Sequence, residues 1–469
     1  MDICITSIQE LLDSKGALIK KEIVDVLFSE DLRNDAFKKV YAKLHSLFNS
    51  MKSNLCVVIE TNYVDKDYRD VYYRYYSTKF KNYNRNCIRL SFFEQDAESY
   101  LSSITSCCDA ECNLQDKYLG FAVLRPLFQC LGRNIISPRA MNNCTELLMS
   151  GVHVDSSCMG LKLSVWGFPH ASQDGQIMTC AETTVWSMSE YFGEKYSLYS
   201  RVFPHNIIDL LHDNSYQRQI PSEGLTYTMI SHALLKQGLG CRVYHADNKM
   251  FRELLTCYIE SEFPIALAIE GKGFGHAVVC IGRKNVPKEE IFAKGLSKLY
   301  GRTAYIWNRG INYFIANDDN MPPYSIFDFD NPCSQWGKTS ITSMIVPLHP
   351  KIYVEAEKAI QLSNFIVLQR KDIDSPVIKT FLTTSRSFKE FIQKNKDLGA
   401  DEKWVLLQMD TPKFLWMTEV STKEDFIQNK VNRILLIDST ADSDCGTEAI
   451  IDYFAFEKPI SAFRNLQIK

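Results

Sequence analysis

Residues 171–192 read ASQDGQIMTCAETTVWSMSEYF, and this stretch decides how the middle of the chain folds. Its first part is polar and contains a glycine, as turns commonly do. From Cys180 onward, apolar side chains recur every three to four residues, which predicts a helix with one face packed on a core. The apolar positions are Ala181, Val185, Trp186, Met188 and Phe192. The pattern therefore predicts a helix that begins at Cys180.

Cys180 is the candidate nucleophile because it lies at this predicted helix start. Unpaired backbone N–H groups and the helix dipole stabilise negative charge there, and the thiolate is the nucleophilic form of cysteine. Attack on a carbonyl group also requires donors for the oxyanion. We expect the side-chain amide of Gln173 to converge with the Cys180 N–H on that oxygen, with Gln176 as the competing candidate.

Two further segments supply a candidate base and a candidate orienting group. In EGKGFGHAVVCIG, residues 270–282, a glycine-rich turn delivers His276 to the mouth of an apolar strand. In YFIANDDN, residues 313–320, a second apolar strand ends in two aspartates. A carboxylate placed beside the imidazole accepts its N–H and fixes its tautomer. Asp318 is the preferred partner, and Asp319 is the alternative.

A second histidine, His170, lies closer to the candidate nucleophile along the chain and is a rival base. It precedes Cys180 on a predicted turn. His276 instead has both the strand context and the aspartate that follows, which are the roles expected of a general base and its orienting group. The sequence therefore favours His276 over His170.

The order of these residues resembles that of the papain-like cysteine peptidase superfamily. The likeness consists of Gln173, then Cys180 opening a helix, then Gly-His at His276, then Asp318 after the next strand. Within the superfamily the sequence is similar to the bacteriocin-processing peptidase branch and to uncharacterised bacterial papain-like proteins. The resemblance implies an α+β catalytic domain with a helical half that carries the nucleophile helix and an antiparallel sheet half.

The resemblance spans roughly residues 165–350 and departs from the family pattern in two places. The gap between the glutamine and the cysteine is one residue longer than the family's usual one. The stretch between the histidine and the aspartate is long, which implies an insertion around residues 284–308.

A chain of 469 residues is long enough for two or three domains. We expect an α+β region at 1–150, the papain-like domain at 151–350 and a second α+β region at 351–469 that packs on the catalytic domain or contacts a partner. In this last region the apolar runs predict strands at 365–368, 404–409, 414–420 and 434–438.

Composition excludes several classes of function. The formal net charge is −3, so nothing favours a nucleic acid as partner. No apolar run approaches the roughly 20 residues that a membrane span needs. Cys107, Cys108 and Cys112 lack the paired spacing of a zinc site, and the acidic residues at 317–330 lack the alternation of a calcium loop, so we expect neither metal nor cofactor.

The fifteen cysteines are scattered and odd in number, and no signal peptide precedes them, so a reducing cytoplasm is the expected compartment. The hypothesis is a cysteine peptidase acting on a selective protein or peptide substrate. A thiol acyltransferase or amidase using the same residues is one alternative, and a catalytically inactive papain-like binding protein is another. The oligomeric state stays open.

Overall fold

The N-terminal part of the chain forms a five-stranded antiparallel sheet with helices against it. The computed structural model describes residues 2–97, 101, 110–142, 147–211, 220–222, 224–464 and 466. The sheet runs in chain order, β1 to β5. Its strands are β1 Ile3–Ser7, β2 Cys56–Tyr63, β3 Cys87–Phe93, β4 Tyr118–Leu124 and β5 Leu131–Ile136.

The longest helix of this region, Glu30–Ser50, shows how the sequence specifies it. Its buried residues recur every three or four positions, which puts them on one face. They are Leu32, Ala36, Val40, Leu44, Leu47 and Phe48. The remaining helices here are Ile8–Asp13, Lys66–Arg74 and Ala110–Lys117, with short helical turns at Ala17–Ile19, Lys20–Val24 and Asp25–Leu27.

The middle of the chain forms a second, seven-stranded antiparallel sheet together with several helices. The order is β15-β14-β11-β10-β16-β9, and β6 pairs with β11. The strands are β6 Leu147–Met149, β9 Gly240–His245, β10 Ile265–Gly271, β11 Phe274–Lys284, β14 Tyr313–Asn317, β15 Ser325–Asp328 and β16 Ser340–Leu348. The helices are Cys180–Lys195, Pro204–Leu211, Tyr227–Lys236 and Phe251–Glu260. A separate hairpin, β7 Val152–Cys158 with β8 Leu161–Gly167, leads toward the first of these helices.

The third sheet has six strands, and two of them come from the middle of the chain. Its order is β12-β13-β17-β18-β19-β20, with β13 and β17 parallel. The strands are β12 Leu296–Leu299, β13 Arg302–Ile306, β17 Val377–Thr384, β18 Phe414–Ser421, β19 Lys430–Asp438 and β20 Ile450–Ser461. The accompanying helices are Lys288–Gly295, Ala356–Arg370, Ser385–Lys394, Ala400–Gln408 and Lys423–Ile427.

The mixture of helices and antiparallel sheets confirms the predicted α+β class. Residues 284–308, where the resemblance implies an insertion, carry the Lys288–Gly295 helix, β12 and β13, and the insertion itself stays a prediction. The division at residues 150 and 350 stays a prediction, and two sheets cross it: β6 joins the second sheet, and β12 with β13 joins the third.

Two predicted strands of the C-terminal region are wrong. Residues 365–368 belong to the Ala356–Arg370 helix, whose buried positions include Ala356, Ala359, Ile360, Ser363 and Val367 in helical spacing. Residues 404–408 belong to the Ala400–Gln408 helix, in which Trp404 is 66% exposed and Val405 52% exposed. An apolar run does not by itself distinguish a buried strand from a helix.

A continuous hydrophobic core joins the three sheets, since buried side chains such as Val58 of β2, Ile281 of β11 and Trp416 of β18 belong to one packed cluster. A smaller cluster under Phe388 and Ile392 covers the other face of the third sheet. Among the residues described, no helix combines the length and apolar character that crossing a bilayer requires.

Candidate active site

Cys180 is the first residue of the helix Cys180–Lys195, which confirms the predicted helix start. The helix entry is held by Glu182, whose carboxylate accepts hydrogen bonds from the N–H of Thr179 at 3.2 Å and from its hydroxyl. The hydroxyl of Ser222 donates to the other oxygen of Glu182. The Cys180 thiol is partly exposed at the N-terminal end of this capped helix, where the helix dipole stabilises negative charge.

His276 lies near the start of β11, just after a tight hairpin. Gly271 pairs with Phe274, and Gly273 at the hairpin tip has φ of 82°, a conformation that favours glycine. The Cys180 helix packs against β11, which brings the imidazole to the thiol. The Cys180 side chain interacts with the His276 ring closely enough to raise the pKa of the imidazole.

Asp318 follows directly after β14, as the sequence predicts. Pairing of Val279 with Asn317 aligns β11 and β14 so that His276 and Asp318 lie at the same end of the sheet. His276 Nε2 donates to Asp318 Oδ1 at 3.0 Å, and Asp319 Oδ1 is farther from that nitrogen, at 3.8 Å. Because His276 Nε2 donates to Asp318, Nδ1 is the ring nitrogen available to the Cys180 thiol.

The electrostatics of the pair favour an imidazolium beside a carboxylate. Burial alone lowers the pKa of His276, but hydrogen bonds with Asp318 and Cys180 and the charges of both aspartates raise this pKa to about 10. Burial opposes ionisation of Asp318, yet the hydrogen bond and charge of His276 hold its pKa below the ordinary value. The protein therefore stabilises His276 in its protonated form.

Asp319 has a different environment from its neighbour. It is 4% exposed, and burial together with the charge of Asp318 outweighs the charge of His276 and raises the pKa of Asp319 to about 7. Its Oδ1 accepts from Asn320 Nδ2 at 3.1 Å. Lys43, from the Glu30–Ser50 helix, donates to the backbone carbonyls of Asp319 and Asn320 at 3.1 Å each. The N-terminal region thus holds the loop that carries both aspartates.

His170 is buried and lies behind the aspartate loop. Its Nε2 donates to the backbone carbonyl of Asp318 at 3.0 Å, and its Nδ1 accepts from Asn134 Nδ2 at 3.0 Å. Burial lowers the pKa of His170 to about 4, so the ring is neutral at physiological pH. Both ring nitrogens are occupied, which leaves none for proton transfer to a substrate.

The two candidate glutamines have different partners. Gln173 Nε2 donates to Asn320 Oδ1 at 3.1 Å, which places the amide beside the aspartate loop. Gln176 Oε1 accepts from the hydroxyl of Tyr75 at 2.6 Å, on the N-terminal region. The geometry favours Gln173 as the glutamine on the His276 side of the site.

Sequence reasoning did not assign roles to Asp174 and Trp336. Asp174 Oδ1 accepts the backbone N–H groups of Gln176, Ile177 and Met178 at 2.8 to 2.9 Å, which shapes the loop before Cys180. An Asp-Gly pair in a turn is a signal for such local bonding. The Trp336 ring contacts the His276 ring edge-on, with centroids 4.9 Å apart, and no local pattern in the sequence announces it.

A small cavity adjoins the thiol, and short side chains line it. They include Ala171, Thr183, Thr184, Ser187 and Ala277.

His276, Asp318 and Asp319 offer ligand atoms within 4.8 Å of one another, so these groups could hold a metal ion. His276 Nε2 already donates a hydrogen bond to Asp318 Oδ1, however, and this arrangement suits proton transfer. The side chains of Cys107, Cys108 and Cys112 lie outside the described residues.

No protein-family model and no curated protein matches the chain. Among solved structures, the chain is similar to the crystal structure of the peptidase domain of Streptococcus ComA, a bifunctional ABC transporter involved in a quorum-sensing pathway. The identity is 17%, and the match covers 38% of this chain and 97% of that chain, with a TM-score of 0.24. A likeness this weak adds nothing to the geometry above.

Proposed function

We propose that the chain is a papain-like cysteine peptidase that hydrolyses a peptide or isopeptide bond in a selective protein substrate. The position of His276 carries the proposal. Its ring interacts with the Cys180 side chain and donates from Nε2 to Asp318 at 3.0 Å. A nucleophile, a base and an orienting carboxylate in this order are what thiol-based acyl transfer requires.

The acylation step uses Cys180 and His276 directly. The thiolate sulfur attacks the carbonyl carbon, and the imidazolium donates its proton to the leaving nitrogen as the C–N bond breaks. Asp318 keeps the ring oriented and stabilises its positive charge. A thioester between the sulfur and the acyl group remains, and His276 is now neutral.

Deacylation reverses these roles. His276 removes a proton from water, the resulting hydroxide attacks the thioester carbon, and the sulfur leaves as thiolate, which restores the ion pair. In both steps the oxyanion would accept hydrogen bonds from the Cys180 N–H and from the Gln173 amide. Gln173 donates to Asn320 in this structure, and an amide nitrogen carries a second N–H for the substrate.

The setting we propose is a reducing cytoplasm. The cysteine side chains that the structure describes are all free thiols, including the buried Cys56, Cys257 and Cys280. A thiol nucleophile also remains active only when it stays reduced. The proposed partner is a protein or peptide substrate.

The decisive experiment is alkylation with limiting iodoacetamide across pH, located by peptide mass spectrometry, in wild type and His276→Ala. We expect Cys180 to label much faster than Cys4 and Cys241 near pH 6, since those partly exposed thiols have pKa values raised by burial. His276→Ala should abolish this advantage. Equal labelling of all three thiols in wild type would refute the proposed ion pair and favour a binding protein.

A second measurement separates hydrolysis from transfer. A digested proteome is incubated with the protein, with and without an added amine acceptor, and the resulting peptides are sequenced. The variant Cys180→Ala serves as the inactive control. New termini formed without the acceptor support the peptidase. Products formed only with the acceptor would instead identify a thiol acyltransferase.

A further inference from the structure

A second cavity lies where the seven-stranded and six-stranded sheets meet. Its volume is about 100 Å³, and its walls include the end of β11, the Lys288–Gly295 helix, β17 and β18. None of Cys180, His276 and Asp318 lines it. The cavity is therefore separate from the candidate active site, although Arg283 in its wall belongs to the same strand as His276.

The side chains that line this junction cavity carry an excess of positive charge. Five of them are basic and two are acidic; they are Arg283, Lys288, Lys379, Lys430 and Arg464 against Glu260 and Glu419. Lys430 Nζ forms an ion pair with Asp397 Oδ2 at 2.6 Å, and Asp397 does not line the cavity. The charges that remain face one another across a partly enclosed space.

The two carboxylates are already engaged. Glu260 accepts from Arg283 Nε at 2.5 Å and from Lys379 Nζ at 2.8 Å, and it is 4% exposed. Glu419 is also buried, and its Oε1 accepts the backbone N–H of Phe463 at 2.6 Å. Arg283 and Lys379 thus share one counter-ion, and Glu419 is the one carboxylate of the lining that remains to oppose the charges of Lys288 and Arg464.

Lys288 and Arg464 have no ion pair among the described residues. Lys288 Nζ donates to Asn429 Oδ1 at 2.7 Å and lies 4.0 Å from the centre of the Phe426 ring. Burial, followed by the charges of Lys379, Arg464 and Arg283, lowers the pKa of Lys288 to about 8 despite the opposing charge of Glu419. The amine therefore lies in a positive field that a bound anion would relieve.

We propose that the junction cavity binds a small phosphate-bearing dianion, held by Lys288 and Arg464 with Arg283 and Lys379 behind them. Guanidinium and ammonium groups are the usual donors to phosphate oxygens, and such charge-assisted bonds are strong. A dianion would balance the charge excess. It would also link β11 to the third sheet, so binding should stabilise the whole chain.

The test is calorimetric titration of the full chain carrying Cys180→Ala with inorganic phosphate and with pyrophosphate, at constant ionic strength set with chloride. Using this variant keeps the result independent of any peptidase activity. We expect saturable one-to-one binding, and a rise in Tm of about 3 °C at a ligand concentration a hundredfold above Kd. A Tm rise that chloride reproduces, or the lack of saturable binding, would overturn the proposal.

Matched variants locate the site. Lys288→Gln and Arg464→Gln should each weaken binding about tenfold or more, because each removes a charge-assisted bond. Lys298→Gln, at an exposed position on β12, should bind as the parent does. Without phosphate, Lys288→Gln should be at least as stable as the parent, since it removes a crowded cation. Equal weakening by Lys298→Gln would contradict the assignment.

Discussion

His170 donates its Nε2–H to the backbone carbonyl of Asp318 at 3.0 Å. His170, the histidine closest in sequence to Cys180, therefore positions the loop that carries Asp318. Asp318 in turn orients His276. Asn134 completes this support from the N-terminal sheet by donating to His170 Nδ1. The N-terminal region is thus part of the structure that positions the proposed triad.

The hydrogen bond from His170 to Asp318 predicts that His170→Phe lowers activity without changing the pH dependence of that activity. The variant removes the two side-chain hydrogen bonds that His170 makes with Asp318 and Asn134, which should cost about 1–3 kcal/mol of unfolding free energy. The rate should fall, but the pH profile should keep its shape, because the pKa of His170 is about 4 and the ring does not titrate near neutrality. Urea unfolding and pH–rate profiles measure both effects. A shifted profile would show that His170 acts as a base.

The His276–Asp318 pair predicts a pH-dependent stability. The pKa of His276 is raised from 6.5 to about 10, so its contribution is complete below pH 6.5 and is lost as the pH rises through 10. His276→Gln removes the contribution at every pH. The difference in unfolding free energy between wild type and His276→Gln should therefore shrink from pH 6 to pH 10. A constant difference would argue that His276 is neutral in the folded protein.

The two aspartates should respond oppositely to amidation. Asp318→Asn removes the acceptor at 3.0 Å from His276 Nε2 and should reduce kcat strongly, with loss of stability. Asp319 has a pKa raised from 3.8 to about 7, so ionising it costs stability as the pH rises from 3.8 to 7. Asp319→Asn should therefore stabilise the protein at pH 7 and retain most activity. If Asp319→Asn is the inactive variant, the two roles are exchanged.

The oxyanion assignment predicts a contrast between the two glutamines. Gln173→Ala should lower kcat about 10²–10³-fold with little change in KM, because the amide is needed most in the transition state. Gln176→Ala is the matched control, since that amide is bound to Tyr75, and its kcat should stay close to that of wild type. Steady-state kinetics on one peptide substrate suffice. Similar losses in both variants would point to a general disturbance of the 173–179 loop.

Local patterns in the sequence were sufficient to predict the elements that carry Cys180, His276 and Asp318. A 3.6-residue period beginning at Cys180, a glycine turn before His276 and an apolar strand ending at Asp318 are each encoded within about ten residues. Periodicity, caps and turns are short-range properties, so each of these elements could be predicted without knowing its neighbours.

Long-range contacts decided the rest. His276 and Asp318 meet only because β11 pairs with β14, and His170 reaches Asp318 across 148 residues of chain. The same limitation explains why residues 404–409 were predicted as a strand: an apolar run does not show whether a neighbouring strand is present to pair with it. Strand pairing and the satisfaction of buried polar groups depend on which segments meet, and only the tertiary structure specifies that.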